Sequence, residues 1–562
     1  MEKIKKVLDF ISISLIVTIS IFFIYISWNP HILGIGKYEL IYISPWFLAI
    51  NFFLILVFII FGFGTIRRYL RGVDKRSLLI LLVILIIAFS LRQFLVPHTH
   101  RVFFDEDLYL GVGNSLATEF RNILCNYGTP THCFDGILNK DPSGFPFLVS
   151  LIYRIVGPGE PQIFFLSTIV GTLTVFVVFL LVYFITRDKN ISLIASFLFA
   201  ITPIHLVWSG STATEIFFTF FSLLSLSMMV LYLKSRRYMI LLLSLASAAY
   251  SAQIRPEGIF FLFILGLFVL LMERNLLRLL RSKKNWLSIL FLVVLLMSQI
   301  MQLSIFKNED WGAPDGKKFG LLYFEENSLP NISFWFTNKY HPLIFTILSI
   351  VGFIYSIRKN LRLSLFLVLW WISYFVLFSS FYAGSFSSGG IGSRYIVMYF
   401  TPMIVFAAFG FNEIMNLRRR YKFITIISLL LIIAISFLPI LPFITIPDQQ
   451  AQYVRDMHDF VMEHVHDINS SCWVLTHNPS IFLVQRMNSL QTWYSSNKFV
   501  MDRIYNKTNC VLWLEGAWCL FEPHKSGVCK YIHDNYKLKV LYRLVREGNP
   551  NQVFTIYQVY RK

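Results

Sequence analysis

The chain has 562 residues, of which 56% are hydrophobic, 17% aromatic and only 14% charged. Soluble globular proteins carry about 25% charged residues, so this composition excludes an ordinary soluble protein and indicates a membrane protein. The formal net charge of +19 is explained by membrane topology and contact with anionic membrane lipid, and no nucleic-acid partner is expected.

Apolar segments long enough to cross a bilayer recur along the whole chain. A span needs roughly 20 apolar residues to cover a hydrocarbon core of about 30 Å. We predict a polytopic α-helical membrane protein with about 13 transmembrane helices. The predicted spans lie near residues 8–28, 43–65, 77–96, 161–185, 191–209, 214–233, 238–253, 258–273, 286–306, 342–357, 363–382, 395–414 and 422–445.

Lysine and arginine cluster between alternate spans, as is typical of cytoplasmic loops. With the spans above, every basic cluster lies on the same side of the membrane. The N-terminus is therefore predicted inside and the C-terminus outside. The clusters are "MEKIKK", "RRYLRGVDKR", "RDK", "KSRR", "ERNLLRLLRSKK", "RKNLR" and "RRRYK".

Most of the polar sequence lies on the predicted outer side, in a first external loop at about 97–160 and a C-terminal segment at 446–562. In that segment, "QYVRDMHDFVMEHV" is typical of an amphipathic helix, "CWVLTH" of a strand, and "YKLKVLYRLV" with "NQVFTIYQVY" of a hairpin. We therefore predict extra N-terminal helices in 1–76, a main transmembrane domain in 77–445 and a small extracytoplasmic α/β domain in 446–562.

All six cysteines fall in segments predicted to lie outside, which indicates disulfides in an oxidising compartment. Cys125 and Cys133 are predicted to close the loop "NYGTPTH". The other four are predicted to staple the C-terminal segment in a pairing that the sequence leaves open: Cys472, Cys510, Cys519 and Cys529. A metal site at Cys529 and His533 is disfavoured because the CxxC spacing is missing.

Ionisable residues recur near the predicted outer membrane boundary. The stretch "FFDEDLYLGVGNSLA" contains Asp105, Glu106 and Asp107, and taken alone it also suits the capped start of a helix. The stretch "LNKDPSGFPFLVSLIYRIVG" predicts an apolar helix of about 14 residues, too short to span and half-sunk at the outer interface. Burial of charge at such positions is costly without a partner or a function, so the set indicates a shared cavity. Its further members are Lys140, Glu215, Arg255 and Arg394.

These motifs together resemble the polytopic GT-C glycosyltransferases, in particular the dolichyl-phosphate-mannose:protein mannosyltransferases and the aminoarabinose-to-lipid-A transferases. The resemblance covers roughly residues 77–414. It rests on "FFDEDLYLGVGNSLA" for the Asp-Glu motif, "KDPSGFPFLVSLIYRIVG" for the Lys-Pro-Pro-Leu-like stretch, Glu215, "RPEG" and "SRYIVMYFTP". Three features depart from the family: the two extra N-terminal spans, Lys140-Asp141-Pro142-Ser143 in place of Lys-Pro-Pro-Leu, and Glu rather than Asp at the second acidic position.

The resemblance implies the GT-C fold and transfer of a sugar from a polyprenyl- or dolichyl-phosphate carrier, with inversion, to a lipid, protein or glycan acceptor on the extracytoplasmic face. Such a reaction needs a carboxylate to accept the proton of the acceptor hydroxyl and cations to stabilise the departing phosphate. We predict Asp105 as the base and Glu106 as a residue that orients hydroxyls, while Asp107 is predicted to be solvated. The predicted phosphate ligands are Lys140, Arg255 and Arg394.

Metal dependence is the least defined prediction. Asp105 and Glu215 could share a divalent ion, as some GT-C relatives do, but no obligatory metal is expected. His98 and His100, in "HTHRVFF", could bind a transition metal, although such a pair at the end of a span is more often solvated.

Two other functions fit the same pattern in part. A transporter or flippase of lipid-linked sugars also has many spans, but transporters place charges near the midplane and show inverted repeats, which this sequence lacks. A polymerase or ligase that uses a diphosphate-linked glycan differs only in its donor.

Overall fold

The computed structural model describes residues 2–102, 104–309, 312–313, 316–386, 391–417, 422–447, 452–465, 467–516, 518–521, 523–545 and 553–562. The first four residues of the predicted basic cluster "RRRYK" (418–422) and the first two residues of "NQVFTIYQVY" lie outside the described residues.

The described part of the chain is mainly α-helical. The helices are Glu2–Trp28, Lys37–Leu70, Lys75–Ser90, Asp105–Thr118, Gly144–Val156, Glu160–Thr186, Lys189–Ala200, Pro203–Ser209, Glu215–Ser235, Tyr238–Ile254, Glu257–Met272, Leu276–Leu280, Lys283–Ile305, Leu321–Phe336, Leu343–Lys359, Leu361–Ser379, Thr401–Leu417, Lys422–Phe437, Leu441–Thr445, Gln452–Val465, Pro479–Val484, Lys498–Tyr505, Trp518–Phe521 and Pro523–Asn535. Leu91–Leu95 is a π-helix, and 3₁₀ turns occupy Pro30–Leu33, Ile391–Met398, Leu438–Ile440 and Thr492–Ser496.

Among the described residues, eight helices are long and apolar enough to cross a membrane, and up to ten spans result if each of two bent pairs counts as one. The chain is therefore a multi-pass membrane protein, but the predicted count of thirteen is not confirmed. Each predicted span coincides with a helix or a bent pair. Three of these helices, Tyr238–Ile254, Glu257–Met272 and Leu343–Lys359, have only 17, 16 and 17 residues, which is short for a 30 Å core at about 1.5 Å per residue.

The two bent pairs break at prolines. Lys189–Ala200 and Pro203–Ser209 meet at 57°, and Gly392–Met398 and Thr401–Asn416 meet at 58°. Proline lacks the backbone N–H that an unbroken helix needs, but it suits the first turn of a new one. Pro203 and Pro402 both take that place. The second break leaves the segment that contains Arg394 in a 3₁₀ turn beside the outer ends of the helices.

Seven strands form one mixed sheet. They are β1 (Ile123–Thr129), β2 (His132–Leu138), β3 (Trp473–Thr476), β4 (Asn488–Gln491), β5 (Val511–Glu515), β6 (Tyr536–Val545) and β7 (Val553–Arg561), in the order β2-β1-β4-β3-β5-β7-β6. β3 is parallel to β4 and β5, and the other pairs are antiparallel. The predicted helix at Gln452–Val465, the strand in "CWVLTH" and the C-terminal hairpin are confirmed.

The sheet joins two distant parts of the chain. Tyr127 of β1 pairs with Leu490 of β4, so the hairpin of the first external loop extends the sheet of the C-terminal segment. Strands from before and after residue 446 belong to this one sheet. The domain boundary that the sequence predicts at residue 446 stays a prediction. Helix packing joins the same two parts of the chain. The helix Asp105–Thr118, here called the Asp105 helix, contacts Gly144–Val156 and also Pro479–Val484 of the C-terminal segment.

The predicted disulfide between Cys125 and Cys133 is confirmed, and it links β1 to β2. The pairing that the sequence left open is Cys472 with Cys510 and Cys519 with Cys529. Cys529 is therefore unavailable as a metal ligand, and His533 instead lies 2.8 Å from a carboxylate oxygen of Glu515.

Gly111 allows the Asp105 helix to approach the C-terminal segment closely. A Cβ at this position would lie 2.6 Å from Cβ and 2.2 Å from Oγ of Ser480. Overpacking a tight contact costs about 1–3 kcal/mol. We therefore expect Gly111→Ala to lower the free energy of unfolding by about 2 kcal/mol, measured as a lower thermal midpoint of the detergent-solubilised protein.

Gly64→Ala is the matched control, because nothing lies within 4 Å of a Cβ at Gly64 and alanine is the better helix former. An unchanged midpoint in Gly111→Ala would show that the two segments do not pack as described.

Candidate active site

A cavity of about 320 Å³ opens where the first external loop meets the outer ends of the transmembrane helices. The structure brings four of the sequence-predicted residues together in its wall: Asp105, Lys140, Arg255 and Arg394. Glu215 lies directly beneath and contacts two of them. The remaining wall is formed by Tyr109, Asp141, Pro142, Thr214, Ile254, Pro256, Glu257, Phe381, Tyr382 and Tyr395.

Arg255 occupies the break between the helices Tyr238–Ile254 and Glu257–Met272. Its backbone is extended, with φ −144° and ψ 144°, as is favoured for a residue that precedes proline. This conformation ends the first helix and lets the guanidinium reach the cavity.

The Arg255 guanidinium is buried among two carboxylates. Both carboxylate oxygens of Glu257 accept hydrogen bonds from it, at 3.2 Å from Nε and 3.0 Å from Nη2. Nη1 donates to Glu215 and, at 2.8 Å, to Thr214 Oγ1. A buried charge with this many partners is held in one orientation, and only one of its five N–H groups is left without a bond.

Arg394 bridges the exposed and the buried carboxylates. Its Nη1 lies 3.4 Å from Asp105 Oδ2 and its Nε 4.0 Å from Glu215 Oε1. A further hydrogen bond of 3.0 Å runs from Nη2 to the hydroxyl of Tyr395. The guanidinium therefore provides the positive charge between Asp105 and Glu215.

This arrangement does not fit the predicted divalent ion shared by Asp105 and Glu215. The cation between the two carboxylates is Arg394, and Glu215 is also paired with Arg255. An added divalent ion at this place would meet two guanidinium groups at close range, which Coulomb repulsion disfavours.

Asp105 and Lys140 are the more accessible charges of the cavity. The Asp105 side chain is 39% exposed, whereas Glu215 is 1% exposed. Lys140 is exposed, precedes the helix Gly144–Val156, and forms no ion pair with a described residue. A carboxylate and a free ammonium group at one cavity mouth are therefore available to a ligand.

Glu106 lies outside the cavity, in the protein interior. Its Oε1 accepts hydrogen bonds from the backbone N–H groups of Arg101 and Val102. Its Oε2 accepts two bonds of 2.7 Å from the N–H and Oγ1 of Thr212. With four donors on a fully buried carboxylate, this geometry favours a positioning role for Glu106 over the predicted contact with acceptor or sugar hydroxyls.

The prediction that Asp107 is solvated is wrong. Its side chain is buried, and Oδ1 lies 3.4 Å from His100 Nδ1. The side chain of His100 is also buried. The ring of His98 stacks on that of Phe164, with 5.6 Å between ring centroids. The expectation that these histidines are solvated is therefore wrong for His100, whose ring also lies 6.1 Å from that of Phe164. The alternative of a metal ion shared by the two is not supported, since Nε2 of His98 lies 3.3 Å from the carbonyl oxygen of Arg92.

Two carboxylates of the cavity have roles that the sequence did not reveal. Asp141 lines it beside Lys140, and burial together with the nearby Asp105 carboxylate raises the pKa of Asp141 to about 6. Glu257 holds Arg255 through both oxygens. The only sequence signal for either was its position next to a predicted cationic residue.

Comparison with known proteins finds one matching family model. The family model of dolichyl-phosphate-mannose-protein mannosyltransferases matches residues 140–301, a range that includes Lys140, Glu215 and Arg255 but neither Asp105 nor Arg394. No curated protein sequence matches the chain significantly.

Solved structures are similar to this chain at low sequence identity, and the first of the two below shares its fold. ArnT from Cupriavidus metallidurans bound to undecaprenyl phosphate aligns with a TM-score of 0.55 and 12% identity, over 86% of this chain and 98% of that chain. An oligosaccharyltransferase from Archaeoglobus fulgidus aligns with a TM-score of 0.49 and 13% identity, over 88% of this chain and 75% of that chain. The predicted resemblance to the GT-C glycosyltransferases is thereby confirmed.

We expect Glu106→Gln to destabilise the protein. The amide nitrogen of glutamine cannot accept a hydrogen bond, so two donors, either those of the first external loop or those of Thr212, lose their acceptor. Loss of hydrogen bonds to a buried charge costs about 1.5–3 kcal/mol. Thermal unfolding in detergent measures the effect.

Glu463→Gln makes the same chemical change on an exposed side chain and should leave the unfolding midpoint in place. Equal midpoints for the two variants would contradict the positioning role of Glu106.

Proposed function

We propose that the protein is a glycosyltransferase that moves a sugar from a polyprenyl- or dolichyl-phosphate donor to an acceptor on the extracytoplasmic face, with inversion. The observation that carries the proposal is one cavity at the helix ends in which an accessible carboxylate, Asp105, faces the cations Lys140, Arg255 and Arg394. A lipid-linked donor keeps its tail in the bilayer, so its phosphate is within reach only at the membrane boundary.

The three cations are assigned to the donor phosphate. Arg255 and Arg394 are held rigidly by carboxylates and a tyrosine hydroxyl. Four of the five N–H groups of Arg255 are already bonded, so Arg255 acts on the phosphate through its positive charge and one remaining N–H. Arg394 has fewer bonded N–H groups and is the guanidinium with donors left for phosphate oxygens. Lys140 acts as a mobile point charge at the cavity mouth. Preorganised positive charge stabilises the phosphate as negative charge develops on it.

Asp105 is assigned as the general base. It accepts the proton of the acceptor hydroxyl while the hydroxyl oxygen bonds to the anomeric carbon. The bond from that carbon to the phosphate oxygen breaks on the opposite side, and its electron pair leaves with the polyprenyl phosphate. One displacement of this kind inverts the anomeric configuration.

The fold supports a lipid-phosphate donor. The structural neighbour ArnT was solved bound to undecaprenyl phosphate, and the matched family model describes enzymes that use dolichyl-phosphate mannose. The extracytoplasmic face is supported by the basic clusters on the opposite side and by three disulfides, which persist in oxidising compartments. Lipid, protein and glycan acceptors all provide the hydroxyl that this chemistry requires.

We expect Asp105→Asn to abolish transfer from a labelled polyprenyl-phosphate sugar in reconstituted membranes, with a loss of at least about 100-fold because an amide cannot accept the proton. Asp502→Asn is the matched control, since Asp502 pairs with Arg561 and does not line the cavity. Full activity of Asp105→Asn would disprove the assignment of the base.

Mass analysis of the labelled product distinguishes the proposal from its rivals. A transferase yields a sugar bonded to a new acceptor, whereas a flippase yields chemically unchanged donor on the other leaflet. Use of only a diphosphate-linked glycan would identify the polymerase or ligase.

Lys140→Gln should weaken donor binding more than it slows the chemical step. Lys140 is exposed and without an ion pair among the described residues, so its removal leaves no buried charge without a partner. We expect KM for the lipid-phosphate donor to rise about 5- to 30-fold, as for the loss of one charge-assisted contact worth about 1–2 kcal/mol. The exposed Lys498→Gln serves as control, and an unchanged KM in Lys140→Gln would remove Lys140 from the phosphate site.

A further inference from the structure

A second cluster of ionisable residues lies behind the Asp105 helix, on the side away from the cavity. We call it the histidine–carboxylate cluster, and its members are His100, Asp107, Glu160 and His458. One ligand atom from each lies within 4.8 Å of all the others, and all four side chains are buried. The members come from four separate segments of the chain, three around the first external loop and one in the C-terminal segment.

The histidine rings lie close together between the carboxylates. His100 and His458 stack with 4.5 Å between ring centroids. Nε2 of His458 is 2.7 Å from Glu160 Oε1, and Nε2 of His100 is 3.5 Å from Glu160 Oε2. No lysine or arginine among the described residues forms an ion pair with Asp107 or Glu160.

His100 is buried without a hydrogen bond. Its side chain is 3% exposed, and neither ring nitrogen has a hydrogen-bond partner. Buried polar atoms are normally satisfied, so an exception of this kind calls for an unseen partner. Nδ1 faces Asp107 at 3.4 Å and Nε2 faces Glu160 at 3.5 Å, both longer than ordinary hydrogen bonds. An imidazole binds an ion through one nitrogen only, so one of these distances corresponds to an edge of a metal tetrahedron, which is about 3.3 Å for 2.0 Å bonds. The other nitrogen is left for a hydrogen bond to the second carboxylate, as is usual for a metal-bound histidine.

One further contact orients the cluster. The side-chain amide of Asn478 donates a hydrogen bond of 3.0 Å to Asp107 Oδ2, which leaves Oδ1 directed at His100. Hydrogen bonds that orient ligating carboxylates in this way are a regular part of metal sites.

We propose that the histidine–carboxylate cluster binds one Zn²⁺ ion. Two imidazoles and two carboxylates form a donor set that suits zinc in tetrahedral geometry, whereas magnesium and calcium prefer all-oxygen sites. The two negative charges balance the ion, and the two rings then bind it in their neutral form. The site is closed by four protein ligands, which is typical of a structural rather than a catalytic zinc.

The ion fastens the first external loop to the C-terminal segment. His458 belongs to the helix Gln452–Val465, and Asp107 belongs to the helix that starts with the cavity residue Asp105. The zinc site therefore holds that helix from behind, on the face opposite to the cavity. It is separate from the pair of Asp105 and Glu215, which Arg394 already bridges.

The test measures zinc in the full-length chain, purified in detergent, stripped with a chelator and then exposed to Zn²⁺. Elemental analysis should find about one zinc per chain. Thermal unfolding of the zinc-loaded protein should have a midpoint several degrees above that of the stripped protein. His100→Gln should lose at least nine-tenths of the zinc. His98→Gln is the matched control, because His98 is in the same stretch but is not a member of the cluster, and its Nε2 lies 3.3 Å from the carbonyl oxygen of Arg92. This variant should bind zinc as the unaltered chain does.

A second measurement decides the matter if His100→Gln does not fold. His458→Cys replaces one ligand by another that zinc and cobalt accept, so Co²⁺ should give a thiolate-to-cobalt charge-transfer band in this variant. His464→Cys on the same helix should not give it, since His464 lies beside Phe460 and Tyr542.

Three results would overturn the proposal: no zinc in the unaltered chain, full zinc in His100→Gln, or zinc that is lost in Asp105→Asn but kept in His100→Gln. The first would show that protons alone join the imidazoles to the carboxylates. The last would locate the ion in the cavity. None of these measurements depends on transferase activity.

Discussion

The buried carboxylate of Glu106 fixes the relation between the external loop and the transmembrane helices. It accepts hydrogen bonds from the loop before the Asp105 helix and from Thr212, just before the helix Glu215–Ser235. Successive residues of a helix point about 100° apart, so a fixed Glu106 directs Asp105 to one side and Asp107 to another. One side faces the cavity and the other the histidine–carboxylate cluster, and three adjacent carboxylates thus have three different surroundings.

Charge at the membrane boundary imposes the second constraint. Arg255 is buried where two short apolar helices meet, and its burial is compensated by Glu215, Glu257 and Thr214. Removal of a partner from such a network leaves an unpaired buried charge, which is more costly than the network itself. Glu257 therefore matters for the cavity without any need to contact a ligand: it keeps the guanidinium in place while the outward-facing charges remain accessible.

Part of this arrangement could be read from the sequence, because local patterns carry it. Apolar runs identified the positions of the helices, the spacing of Cys125 and Cys133 indicated their disulfide, and alternation indicated the C-terminal hairpin. The recurrence of ionisable residues at the outer boundary led to the cavity residues. The number of spans was less accessible, since a helix of 16 or 17 residues has the composition of a span without its length.

The remaining part depends on contacts between distant segments, which no local pattern encodes. His458 lies on a helix whose amphipathic pattern says nothing about its partner Glu160. Asp107 has the same sequence surroundings as Asp105, yet only the rotation of the helix and the docking of Asn478 determine that it is buried. Hydrophobic periodicity also could not predict the pairing of β1 with β4 or the burial of Glu106, because both depend on residues far apart in the sequence.

The shared sheet also sets an order for biogenesis. The hairpin of β1 and β2 is synthesised early, while β4 follows only after the apolar helices described between residues 160 and 445. Until then, the β1 edge has unsatisfied backbone groups, and such an edge readily pairs with foreign strands. A chain that is interrupted before β4 would therefore leave an intermediate in which one edge of the β1–β2 hairpin is open to aggregation.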